Sequence, residues 1–75
     1  MNTKLHRMLM SSAKADKAKA ELTLDLLSNT PAGIGDHSTQ DFYNNAEDAL
    51  RMLVDANDRI DILRTFTDKG ELIAG

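Results

Sequence analysis

From residue 42 to residue 63 the apolar side chains keep a heptad. Phe42, Ala46, Ala49, Leu53, Ala56, Ile60 and Leu63 follow one another at steps of four and three. That spacing holds one stripe of an α-helix against a neighbour. A half-buried strand would alternate with period two, which this segment does not do. Leu50 and Val54 widen the stripe on one side, and Met52 and Phe66 on the other. Such width suits a face in a bundle better than a two-stranded seam. Glu47, Asp48, Asp55, Asp58 and Asp61 fall outside the stripe and read as a solvated acidic face.

Local signals set the boundaries. Ser38-Thr39-Gln40-Asp41 has the form of a capping box, and Asp41 suits the positive end of a helix dipole. The helix that follows is expected over about 39–69, with Gly70 as the residue that stops it and a short apolar tail at 70–75. Upstream, Pro31 pushes Thr30 out of helical geometry and ends a first helix near Ser28. Asn29 can adopt the left-handed conformation beyond the last turn. The loop 29–38 carries Ile34 between Gly33 and Gly35, an apolar peg between two permissive residues.

The first helix is expected over about 12–28. Its middle is rich in Ala and Lys, both strong helix formers, and Leu22, Leu24, Leu26 and Leu27 give its end something to pack. Ser12 can cap a helix that starts there, and Thr3 one that starts at Lys4. Basic residues oppose the dipole at a helix N-terminus, so the first turns fray unless something holds them. Residues 1–11 are therefore read as a basic N-terminal arm, and 12–75 as the helical hairpin.

Charge is unevenly spread. Residues 1–20 hold five basic side chains against Asp16, whereas residues 21–75 hold four basic and eleven acidic ones. A basic arm on an acidic body suggests contact between unlike parts, within a chain or between copies. Folding back at Pro31–Asp36, with Leu27 near Phe42, sets Lys14 near Asp55 and Arg7 near Ile62. The arm would then run beside Asp55, Asp58 and Asp61. The acidic body would repel phosphate, and the arm has no aromatic for base stacking, so nucleic acid is not the expected partner. No segment has the ~20 apolar residues that cross a bilayer, and the apolar run ending at Met10 is too short for a signal-peptide core.

Seventy-five residues with no Cys leave a thin core and no disulfide to brace it. Nine of the apolar residues are Ala and only three side chains are aromatic. Two helices cover one side of each other and leave the flanks wet. The expected fold is an all-α helical hairpin with a long second helix that packs into a multi-helix or partner interface. If the first helix starts at Ser12, nothing in the chain covers Ile60, Ile62, Leu63 and Phe66. Ile60, Leu63 and Phe66, with Leu53 and with Leu5, Met8 and Leu9 on one face of the arm, are the expected partner-binding set. Protein partners, by self-association or otherwise, are expected, and no membrane contact.

Catalytic and cofactor signals are weak. His6 and His37 are the only imidazoles. Asp36-His37 with Asp41 has no second His to complete a zinc set and reads as loop bracing. Gly33-Ile34-Gly35 follows a helix instead of a strand and is too short for a dinucleotide fingerprint. Asp55-Ala56-Asn57-Asp58-Arg59 begins like a calcium loop but places Ile60 where Gly is needed and Phe66 where Glu is needed. No cofactor, metal site or enzyme activity is expected.

Two stretches are distinctive: Leu26-Leu27-Ser28-Asn29-Thr30-Pro31-Ala32-Gly33-Ile34-Gly35-Asp36-His37-Ser38-Thr39 and Asp48-Ala49-Leu50-Arg51-Met52-Leu53-Val54-Asp55-Ala56-Asn57-Asp58-Arg59-Ile60. Over about residues 20–65 the chain resembles small proteins of tailed bacteriophages, especially marine T4-like phages and cyanophages. In these a Pro-x-Gly-Ile-Gly-Asp-His loop precedes one long helix. The resemblance implies a viral source and brings no activity or site residues with it. The expectation is a small non-enzymatic virion component of capsid, decoration or tail. The alternative is a host-takeover regulator that binds a bacterial protein. The corresponding locations are the virion or the host bacterial cytoplasm.

Overall fold

The computed structural model describes residues 1–29 and 39–66. Two helices, α1 (Thr3–Ser28) and α2 (Thr39–Leu63), pack against each other as an all-α hairpin. Residues 30–38 of the expected loop 29–38, with Ser38 of the capping box, lie outside the described residues, as do Gly70 and the tail. The molecule measures 51 × 22 × 15 Å. Against a helix diameter of about 10–12 Å, that is two helices wide and one deep.

The first helix begins well before residue 12. Asn2 caps it: the Asn2 side-chain oxygen accepts from the Leu5 amide at 2.8 Å, and the Asn2 carbonyl from the His6 amide at 2.9 Å. No acidic residue sits in the first turn to favour the dipole. Tertiary contact holds it instead. His6 Nε2 lies 2.7 Å from the Leu63 carbonyl, so that nitrogen carries the proton and donates. The His6 ring also meets Phe66, with centroids 6.5 Å apart. Residues 3–11 are therefore part of the hairpin, and the reading of 1–11 as a separate arm is corrected.

Asn29 closes α1 without the left-handed geometry expected of it. Its φ is -96° and its ψ is 3°. Its amide and its side-chain NH2 both donate to the Asp25 carbonyl, at 3.2 and 3.0 Å. A side chain that can satisfy a terminal carbonyl removes the need for a positive φ.

α2 ends at Leu63, earlier than Lys69. The Leu63 carbonyl takes the His6 ring and, at 3.2 Å, the Phe66 amide. The Ile62 carbonyl takes both the amide and the hydroxyl of Thr65. These tighter bonds compete with the helical pattern and turn the chain over Arg64–Phe66.

The heptad of α2 is the seam. Ala49, Ala56, Ile60 and Leu63 are buried, and Phe42, Ala46 and Leu53 are half-buried. From α1, Ala13 and Ala20 face them with no exposed surface, flanked by half-buried His6, Met10, Lys17, Leu24 and Leu27. These seven α1 positions also step by four and three. Alanines at the centre let the helices approach closely. The consequence is a core without bulk: among the described residues no large side chain is fully buried.

Candidate interaction surface

The cross-helix ion pair among the described residues reverses the expected polarity. The acid, Asp16, is on α1 and the base, Arg59, on α2, with Arg59 Nη2 donating to Asp16 Oδ2 at 2.7 Å. Arg59 Nε also donates to Asp55 Oδ2 at 2.9 Å. The hydrogen bond to Asp16 does most to hold the guanidinium above its ordinary pKa, partial desolvation opposes it, and the charge of Asp55 adds to it. The basic side chains of α1 (Lys4, Arg7, Lys14, Lys17 and Lys19) join no ion pair among the described residues. The electrostatic part of the expected fold-back is thus corrected, while its register is close. Leu27 lines a groove with Asn45, Asp48 and Ala49, and Leu9 one with Leu63.

Those two grooves flank the Asp16–Arg59–Asp55 bridge on one side of the hairpin. The first, about 320 Å³, is lined by Leu9, Ser12, Asp58, Arg59, Ile62 and Leu63. The second, about 260 Å³, is lined by Thr23, Leu27, Asn45, Asp48, Ala49 and Met52. Ile62 is 62% exposed and Met52 44%. On the opposite side of α2, Tyr43, Leu50 and Val54 are each more than half exposed. The outward side of α1 shows Leu5, Met8, Leu22 and Leu26.

The expected partner-binding residues divide. Leu5 and Met8 are exposed, and Leu9 is half-buried at the rim of the first groove. Leu53 is half-buried in the seam, and Phe66 is half-buried against His6. Ile60 and Leu63 are 4% and 6% exposed, buried by their own chain. Their assignment to a partner is corrected, because α1 reaches back to Thr3 and covers the far half of α2. Leu22, Leu26 and Tyr43 were not in the expected set, and Ile62, read as uncovered by its own chain, was left out of it although it is exposed. For α1 the signal was available: continuing the Ala13–Ala20 spacing selects Leu24 and Leu27 and leaves Leu22 and Leu26 outside.

Among the described residues no three His, Cys, Asp or Glu side chains are grouped to hold a metal ion. No helix among them is long and apolar enough to cross a membrane. No protein-family model matches the chain, and comparison with curated proteins and with solved structures finds no match.

Proposed function

We propose that this chain is a small non-enzymatic structural component that acts by helix–helix contact inside a larger protein assembly. The assembly is a phage particle, the setting that the sequence resemblance implies. One observation carries the reading: the hairpin keeps alanines inside and large apolar side chains outside. Among the described residues ten large hydrophobic ones are exposed, whereas Ile60 and Leu63 are the only large ones in the buried core. Leu5, Met8, Leu22 and Leu26 share the outward side of α1, and a shared apolar face on a small protein supports an interface. The acidic face of α2 is partly neutralised within its own helix, because Arg51 pairs with Glu47 and Asp48 and Arg59 pairs with Asp55. That favours packing over the occupation of a basic surface on a host protein.

The test is mass spectrometry of purified particles, set beside size fractionation of extracts from infected cells. The expected result is recovery in particles at fixed stoichiometry. Absence from particles, with the chain bound to one bacterial protein, supports the regulator instead. Recovery only at the mass of the free chain overturns both.

A further inference from the structure

The outward face of α1 carries a second heptad. Leu5, Met8, Ser12, Ala15, Lys19 and Leu22 step by three and four, and Met1 and Leu26 extend the series at either end. All six are exposed, on the side of the helix away from the Ala13–Ala20 seam. The series reads alike in both directions from its midpoint between Ser12 and Ala15. Leucines stand at 5 and 22, long flexible side chains at 8 and 19, and small residues at 12 and 15.

We propose that α1 packs antiparallel against α1 of a second copy of this chain, across a two-fold axis at Ser12 and Ala15. The proposal rests on the assembly reading and names one partner within it. A two-fold interface must be self-complementary, and this stripe is. Leu5 meets Leu22 of the second copy. Ser12 meets Ala15, and these small residues let the helices close at the axis. Met8 lies under the aliphatic stem of Lys19, whose ammonium stays in water.

Charge selects the same arrangement. Lys4 and Asp25, on the flank of the stripe, join no ion pair among the described residues. The antiparallel register sets Lys4 opposite Thr23 of the second copy and about 3 Å along the axis from its Asp25, on the same flank, twice per dimer. A parallel pair would put Lys19 against Lys19 in the middle of the apolar layer and give Lys4 no acid. The product is a slab four helices wide, ordered α2–α1–α1–α2. The contact strip is ~39 Å long and ~10 Å wide, or ~400 Å² per partner, about half a standard interface. Association is therefore weak and is assayed at high micromolar protein.

The chain has no Cys, so engineered thiols report cleanly. Leu5→Cys and Leu22→Cys are made separately in the full chain, checked for helicity, and treated with a mild thiol oxidant alone and mixed. In the proposed register, positions 5 and 22 of different copies adjoin. Like positions lie ~25 Å apart, beyond the reach of a disulfide. The expected result is a disulfide-linked dimer in the mixture and almost none in either variant alone. A dimer in either variant alone, or none in the mixture, overturns the proposal. Sedimentation of the parent chain separates this failure from that of the assembly reading. A parent that self-associates without the 5–22 bridge overturns this pairing only. A monomeric parent excludes the second copy and leaves the assembly reading to the particle assay. As an independent arm, Lys4→Asp weakens association several-fold and the added Asp25→Lys restores it; failure to restore also counts against the pairing.

Discussion

The seam alanines give the sharpest test of the fold. Ala56 has no exposed surface and stands in the seam of α2. Replacing it with Leu adds three carbon groups. If the helices stood at an ordinary leucine-packed distance, those groups would fill space and stabilise by roughly 0.8 kcal/mol each, about 2.4 kcal/mol in all. In an alanine-closed seam they have nowhere to go, and overpacking costs ~1–3 kcal/mol. The two geometries differ in sign and by several kcal/mol, well outside the error of a melt. For a domain of this size each kcal/mol moves Tm by about 4–8 °C. Ala56→Leu should therefore melt ~4–24 °C below the parent by circular dichroism. Ala18→Leu, on an exposed position of α1, should fall within a few degrees of it. An Ala56→Leu chain that melts at or above the parent temperature refutes the close seam.

Three further outcomes follow from named contacts. Asn2→Ala should lose ~0.5–2 kcal/mol of stability with its cap, read by thermal melting, and speed amide exchange at Leu5. His6→Ala removes the donor to Leu63 and the ring beside Phe66, and should cost ~1 kcal/mol in a denaturant titration. Asp16→Asn should lower Tm slightly and make it less sensitive to salt. A guanidinium with a raised folded pKa contributes fully at any pH below its unfolded value and loses that contribution only as pH climbs through the folded one. The Tm gap between Asp16→Asn and the parent should therefore stay constant from neutral pH into mild alkali. A gap that closes in that window would mean the bridge is not what sets it.

The hairpin is legible because both of its signals are local. Pro31 signals in the sequence that one helix ends before it, and the spacing from Phe42 to Leu63 sets the face of the next. The start of α1 is not legible in the same way. Lys4 and Arg7 oppose the helix dipole, and local propensity argues for fraying. The compensating bond comes from Leu63, fifty-seven residues away. The end of α2 fails in part for the same reason, since His6 takes the Leu63 carbonyl; the Thr65 bond to the Ile62 carbonyl is local and went unread. The Asp16–Arg59 pair was hidden by averaging. A basic segment and an acidic one suggest pairing in bulk, but the contact is decided by which two residues share a flank of the seam, and there the charges are exchanged.

The extension of α1 changes what association has to explain. Were α1 to start at Ser12, the bare surface would be the continuation of the seam, and a partner would complete an unfinished core. With α1 running from Thr3, that core is finished within the chain: Ile60 and Leu63 are buried, and Phe66 is half-buried. The exposed leucines and methionines lie on other faces and contribute little to folding the hairpin. Exposed apolar residues cost solubility, and a chain with so few large side chains in its core has little reason to spare them for the surface unless the surface is used. Folding and association are thus carried by different residues here. Substitutions at Leu5 and Leu22 should change the sedimentation of the chain while leaving its helicity nearly intact. Substitutions at Ala13 and Ala56 should do the reverse at low protein concentration. If both classes abolish helicity together, hairpin and assembly form a single cooperative unit, and the division of labour between the two faces of α1 is wrong.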